Sequence, residues 1–367
     1  MPRHDAPVLA LLAAGALALA ACTPPEVRLH APDHYPERLS AWGVLQVRGN
    51  DLVLGRDVTP YDVNTPLFMD HALKLRTVWM PEDTGASFVS HSRYDLPAGT
   101  VLSKSFFYPL RAGVAQAAAG WDGDVGRFDL GGVHLVETRL LVRQSSGWDA
   151  LPYVWQGDDA YLSPTGAIER FDLAVEGETA PLDYVVPTGN ECASCHATTA
   201  AREILPLGIN TRQLNRGYHG AAANQLAAWR DRGLLNGLPD PANWPRNADW
   251  QLGEASTDHL ARSYLDANCG HCHNPESVID TTGLWLDHGA HPLRRMGACK
   301  PPIAAGRGTG GRRYSIVPGQ PEASILTFRM AATHPSERMP ELGRTLVDRR
   351  AVDIVARWIA GLPGACG

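Results

Sequence analysis

The chain has 367 residues and a formal net charge of −6. This length predicts two or three domains, because a domain usually takes about 100–200 residues. The slightly acidic balance argues against nucleic acid as a partner, since a surface that binds phosphates needs an excess of Lys and Arg.

Residues 1–21 have the pattern of an export signal. Their apolar run, from Val8 to Ala21, carries no charge and is too short for a comfortable membrane span. It ends in the letters LAAC at 19–22, which resemble the bacterial lipoprotein signal, although an ordinary cleavage site is the alternative. Thr23 follows Cys22, and an Asp at that position would disfavour transfer to the outer membrane. We therefore expect an exported, periplasmic chain that is tethered to the outer membrane by a lipid on Cys22.

Residues 22–45 are rich in Pro and polar side chains, and we interpret them as a tether. Residues 46–183 predict a β-rich domain, because segments such as GTVLSKSFFYPL alternate and Gly and Pro recur at short intervals. HLVETRLLVR, SSG and WDALPYVWQ predict a hairpin within a sandwich or barrel. The Trp residues of this region are expected to pack in its core; they are Trp42, Trp79, Trp121, Trp148 and Trp155.

The pattern becomes helical from about residue 184. NQLAAWRDRGLL, DHLARSYLDANC and LVDRRAVDIVARWIAG space their apolar residues for one helix face. We divide this part into a first segment, 184–249, and a second, 250–367. Two helices that flank a short motif in the second segment are expected to pack on each other.

Each of these segments contains a Cys-x-x-Cys-His run. The first run has Cys192, Cys195 and His196, and the second has Cys269, Cys272 and His273. This spacing is that of c-type haem attachment, in which two thiols bond the haem vinyl groups and the His nitrogen ligates the iron. Structural zinc pairs usually lie closer in sequence, and a thioredoxin-like dithiol needs a βαβ context that is lacking. The sequence therefore predicts two covalently attached haem c groups.

The sequence indicates a sixth ligand more clearly for the second iron than for the first. Met339, in SERMPELGR before the last helix, is predicted to ligate the second iron, whereas Met330 falls in a helical pattern and is expected in the core. For the first iron, His219 is the nearest candidate, although an exposed His at a helix start is the alternative. The further candidates are Met69, Met80, His71, His91 and an open position.

Three other features have weaker interpretations. The chain has seven cysteines, and Cys299 and Cys366 remain after the lipid and haem assignments, so a disulfide between them is possible in an oxidising compartment. The loop AAGRGTGGRR lacks the context of a dinucleotide site, but its arginines could pair with haem propionates; they are Arg307, Arg312 and Arg313. Asp287, His288 and His291 could hold a metal, although an exposed polar loop is the simpler interpretation.

Several segments resemble an uncharacterised family of exported two-haem c-type cytochromes. They include NTPLF, ETRLLVR, YVVPTGNECASCH, CGHCHNPES, CKPPIAAGRGTGGRRYSIVPGQPEASILTFRM and RMPELGR. The resemblance covers most of the chain after residue 35, and the last part is similar to a class I cytochrome c domain. It implies haem attachment at both Cys pairs and ligation by His196, His273 and Met339. The implied fold is multidomain α+β, with a β-rich N-terminal domain followed by mainly α-helical cytochrome c-type haem domains.

The predicted function is one-electron transfer between redox protein partners whose identity the sequence does not give. The alternative is a dihaem enzyme, either peroxidase-like or a dehydrogenase subunit, with an axially open first haem. A weaker alternative is a haem-bearing adaptor that docks on a larger complex through its β-rich domain. The cofactor would supply the redox chemistry in each case, and the chain would supply ligands, orientation and burial.

Overall fold

The structure is a computed structural model and describes residues 23–125, 128–197, 204–219, 221–277, 279–303 and 306–367. The predicted export signal and Cys22 lie outside the described residues, so the lipidation site stays a prediction. Among the described residues, no helix is both long enough and apolar enough to cross a membrane.

Strands dominate the described part of the chain. They are β1 (Leu45–Arg48), β2 (Asp51–Leu54), β3 (Thr59–Tyr61), β4 (Leu73–Trp79), β5 (Ala86–Ser90), β6 (Arg93–Asp95), β7 (Val101–Arg111), β8 (Val114–Gln116), β9 (Val133–Gln144), β10 (Gly147–Gln156), β11 (Asp159–Leu162), β12 (Ala167–Val175), β13 (Glu178–Val186) and β14 (Leu235–Asn236). Nine of them form one sheet that curls into half of a barrel, in the order β11-β10-β9-β7-β8-β12-β13, with β4 beside β7 and β3 beside β4.

Helices are few and short. They are α1 (Gly189–His196), α2 (Thr211–Leu214), α3 (Gln225–Asp231), α4 (Thr257–Leu265), α5 (Ile325–Ala331) and α6 (Arg349–Ala360). Strand takes 29% and helix 22%, so the expectation of mainly α-helical haem domains after the β-rich part is wrong. The physical reason is that Gly, Pro and Asn interrupt the apolar spacing every few residues, and loops fill the intervals between the helices.

One face of the half-barrel carries an apolar core. Val101, Leu140 and Tyr153 point to this side from neighbouring strands and are fully buried. Part of the segment interpreted as a tether joins this core, because Leu39 and Trp42 are also fully buried. The indole Nε1 of Trp42 donates to the hydroxyl of Tyr153 at 2.7 Å. Trp148 and Trp155 are buried as well, as their predicted role in core packing requires.

A second core lies in the C-terminal part. Leu265 of α4 and Val355 of α6 are fully buried in it, together with the nearly buried Trp358. The Trp358 indole also donates to Asp258 at the start of α4, at 2.9 Å. Cys299 and Cys366, the pair left over by the cysteine count, form a disulfide that fixes the C-terminus to this core.

The half-barrel and the C-terminal part are in direct contact. The buried carboxylate of Asp70 accepts hydrogen bonds from the backbone N–H groups of Thr345 and Leu346 at 2.7–2.9 Å. The side-chain oxygen of Asn268 accepts from the N–H of Phe68 at 2.7 Å. Both contacts join segments that are far apart in the sequence, and Asn268 directly precedes the second Cys-x-x-Cys-His run.

Candidate functional site

The first run occupies the short helix α1. Thr188 caps it: the Thr188 hydroxyl accepts from the N–H of Glu191 at 3.1 Å, and the Glu191 carboxylate accepts from the N–H of Thr188 at 2.8 Å. None of the residues of α1 is fully buried, so the helix depends on this capping box and on its contact with β10. The helical turn places Cys192 and Cys195 on one face, at spacing i and i+3.

His196 ends the helix with its ring held in one orientation. Its Nδ1 donates to the carbonyl oxygen of Leu205 at 2.6 Å. This bond fixes the tautomer that leaves a lone pair on Nε2, which is how metal-ligating histidines are usually held. Burial lowers the pKa of His196 to about 3, and the nearby charge of Lys104 adds to that effect. The ring is therefore neutral at pH 7, as a ligand must be.

The second run continues from α4. Ser256 caps the start of that helix, and a π-helical segment, Asp266–Gly270, extends it to the motif. The N–H of His273 donates to the carbonyl of Cys269 at 2.8 Å, so the run keeps helical spacing to its end. Gly270 permits this packing, because a Cβ there would lie 2.8 Å from the Cα of Asp287.

His273 differs from His196 in its ring contacts. Its buried Nδ1 has no hydrogen-bond partner among the described residues. Burial lowers the pKa of His273 to about 4, with smaller contributions from His271 and Arg329. The ring of His273 therefore lacks the Nδ1 hydrogen bond that orients the ring of His196.

The two runs meet in space. Ligand atoms of Cys195, His271 and Cys272 all lie within 4.8 Å of one another. The Cys272 thiol points to the carbonyl of Ser194 at 3.6 Å. The close approach of the two thiols lowers the pKa of Cys195 and raises the pKa of Cys272. Cys192 and Cys269 do not belong to this cluster; Cys269 is buried in the C-terminal core.

The loop that carries Met339 is fastened beside the second run. The N–H of Met339 donates to the carbonyl of Arg329 at 2.9 Å, and the Arg344 Nη2 donates to the carbonyl of Met339 at 2.8 Å. Arg344 is nearly buried and also donates to the carbonyls of Arg329 and Leu346 at 3.0 and 2.9 Å. This clamp holds the loop against α5 and leaves Met339 half-buried.

Arg344 and Asp70 were not singled out from the sequence. Asp70 holds residues that directly follow the Met339 loop, through its bonds to Thr345 and Leu346. An isolated Arg or Asp carries no motif, and their partners are backbone groups, which no sequence pattern marks. Only a general expectation that buried charges are paired could have drawn attention to them.

The candidates for the sixth ligand of the first iron lie in different parts of the structure. The His219 ring is nearly buried beside Trp121, with Nε2 3.5 Å from Asp62, so the exposed alternative is wrong. Met69 lies nearer to the first run: its sulfur accepts from Arg139, whose charge in turn acts on Cys192. Met80 is buried in a cluster with α2 and α3, while His71 and His91 pack edge-on against Phe68 and Phe88.

The remaining candidates from the sequence have partners of their own. Arg312 lies over the ring of Phe328, and Arg313 over the ring of Tyr314. Arg307 lies 3.8 Å from Glu337. Met330 is buried in the C-terminal core, as expected. His291 pairs with Asp287 at 2.6 Å, whereas the Nε2 of His288 is buried without a hydrogen bond among the described residues.

Comparison with protein-family models, with curated proteins and with solved structures finds no match for this chain.

Proposed function

We propose that this chain is a dihaem c-type cytochrome that transfers single electrons between redox protein partners in the periplasm, tethered by a lipid on Cys22. The observation that carries the proposal is the repeated arrangement of two thiols and a neutral imidazole on a helical turn, at Cys192, Cys195 and His196 and again at Cys269, Cys272 and His273.

The side chains present fit such a group. The bond from His196 Nδ1 to Leu205 leaves Nε2 as a ligand atom, whereas the Nδ1 of His273 has no corresponding bond among the described residues. Haem c, when bound, supplies the one-electron change between Fe(II) and Fe(III). The role of the chain is to hold each imidazole neutral and oriented, and to present Met339 from a clamped loop.

The direct test counts haems. Wild-type protein, produced in a cell competent for cytochrome c maturation, is expected to show two haems by pyridine haemochrome assay and by intact mass. Replacing Cys192 and Cys195 with Ser should remove one, and replacing Cys269 and Cys272 should remove the other. Replacement of the disulfide pair Cys299 and Cys366 is the matched control and should leave both. Colourless wild-type protein would refute the proposal.

The cluster of Cys195, His271 and Cys272 supports a second candidate, a site for a soft cation such as Zn²⁺. These three side chains are good zinc ligands, and a water would complete the tetrahedron. The two candidates exclude each other, because thioether bonds at Cys195 and Cys272 would occupy both sulfurs. Zinc in stoichiometric amount in colourless protein, lost in a His271→Ala variant, would favour the second candidate.

The alternative of a dihaem enzyme depends on an open position at the first iron. The Nε2 of His219, the nearest candidate in sequence for the sixth ligand, lies 3.5 Å from Asp62, and this contact favours the alternative. Cyanide separates the cases: an electron carrier with two filled sites should show low-spin spectra that cyanide leaves unchanged. A high-spin signal that cyanide converts would favour the enzyme.

A further inference from the structure

Four basic side chains lie on the face of the half-barrel opposite the core that contains Val101, Leu140 and Tyr153. Arg76, Lys104 and Arg139 are direct cross-strand neighbours on β4, β7 and β9, and Lys74 lies two residues before Arg76 on the same face. We call these four residues the basic row. Like charges directly opposite each other destabilise a sheet, so a functional reason is needed for three in succession.

The basic row has fewer carboxylate partners than it has cations. Arg139 forms a two-pronged ion pair with the fully buried Glu137, at 2.5 and 2.7 Å, and Arg76 pairs with Asp62 at 2.9 Å. Lys74 donates to the carbonyl of Ala72. None of the described residues gives the Lys104 Nζ a hydrogen bond or ion pair; the Nζ lies over the ring of Phe106, at 5.8 Å to the centroid.

Helix α1 brings the first run to this row. The helix packs on β10, and β10 pairs with β9 so that Pro152 lies opposite Arg139. The charges of Arg139 and Lys104 are among those that act on Cys192 and on His196. The excess positive charge therefore borders the place where the first haem would be attached.

We propose that the basic row, with Lys104 at its centre, binds the two propionate carboxylates of the haem attached at Cys192 and Cys195. Arg76 and Arg139 already have Asp62 and Glu137 as partners. Burial and the neighbouring cations lower the pKa of Lys74 and of Lys104, that of Lys104 to about 7, and two carboxylates bound beside these lysines would favour their charged forms. Charge-assisted bonds from Arg and Lys to a carboxylate are strong where water is excluded. The inference rests on the proposed function, and it gives the β-rich part of the chain the role of a haem-binding wall.

The test uses the full chain loaded with haem and three variants: Lys104→Met, Lys104→Arg and, as a matched control in the C-terminal part, Lys300→Met. Loss of the Lys104 charge should lower the midpoint potential of the first haem, because a neighbouring cation favours Fe(II). The propionate bending mode in the resonance Raman spectrum should shift as well. Lys104→Arg should keep the wild-type potential, and Lys300→Met should change neither value.

In the redox titration, the step that disappears when Cys192 and Cys195 are replaced by Ser is assigned to the first haem. Two bound haems with wild-type potentials and propionate modes in Lys104→Met would overturn this inference and leave the proposed function standing. Wild-type protein without haem would overturn both. Lys104→Gln is a second neutral variant if Lys104→Met folds poorly, although removing a charge from a crowded row should not lower the melting temperature.

Discussion

The two Cys-x-x-Cys-His runs have the same motif in opposite surroundings. The first is on a short, half-exposed helix that is held by a capping box and faces the basic row of a β-sheet. The second ends an amphipathic helix whose apolar face is packed in the C-terminal core, next to a loop that presents Met339. The two regions thus share a motif of five residues but differ in the charge and polarity around it. Under the proposed function, this difference would give the two haems different reduction potentials.

Under the proposed function, the largest expected difference between the two regions is in the sixth ligand of each haem iron. Met339→Leu should lower the potential of the second haem on the order of tenths of a volt, since axial ligands tune haem potentials over about 0.8 V and a thioether favours Fe(II). Met330→Leu, a buried methionine of the same core, is the control and should keep the wild-type value. A redox titration decides, and an unchanged second potential in Met339→Leu would remove Met339 from the ligand set.

The second region should also depend more on apolar packing. Leu265→Ala removes a fully buried side chain of α4 and should reduce the free energy of unfolding by about 2–5 kcal/mol. Leu252 precedes the same helix but is 66% exposed, so Leu252→Ala should stay within about 0.5 kcal/mol of wild type. Urea denaturation measures both, and equal effects would contradict the packing described for this region.

The first region should depend on its cap. Thr188→Ala removes the acceptor for the N–H of Glu191 and should cost about 1 kcal/mol of stability. Thr179→Ala, at an exposed position on β13, is the matched control and should have little effect. The comparison is made by urea denaturation at one pH. A loss in Thr179→Ala as large as that in Thr188→Ala would argue against the capping box.

The last effect is close to zero at neutral pH and develops only as the pH falls. Burial lowers the pKa of His288, next to the second run, to about 3, from an ordinary value of 6.5. The unfolded chain therefore binds more protons than the folded one between these values, and the stability due to a neutral His288 is lost as the pH falls below 6.5. His288→Gln should flatten the dependence of the unfolding free energy on pH in this window. An identical slope in the variant and the wild type would count against it.

The sequence was a good guide where spacing along the chain decides the arrangement. The positions of His196 and His273 after their cysteines follow from one helical turn, and the β strands of 46–183 follow from alternation. It was a poor guide to the helix content of the last half, because apolar spacing over a few residues does not show where Gly and Pro will end a helix.

The sequence by itself determined the two Cys-x-x-Cys-His motifs and the strand pattern, because each of these depends on residues that are near in the chain. It left Cys299 and Cys366 as a possible pair, and the structure joins them. The tertiary structure alone decided that Cys195 meets Cys272, that Arg344 clamps the Met339 loop, and that Arg76, Lys104 and Arg139 form one row. Strand register and long-range packing set these contacts, and a one-residue shift of register would move the cations to the other face of the sheet.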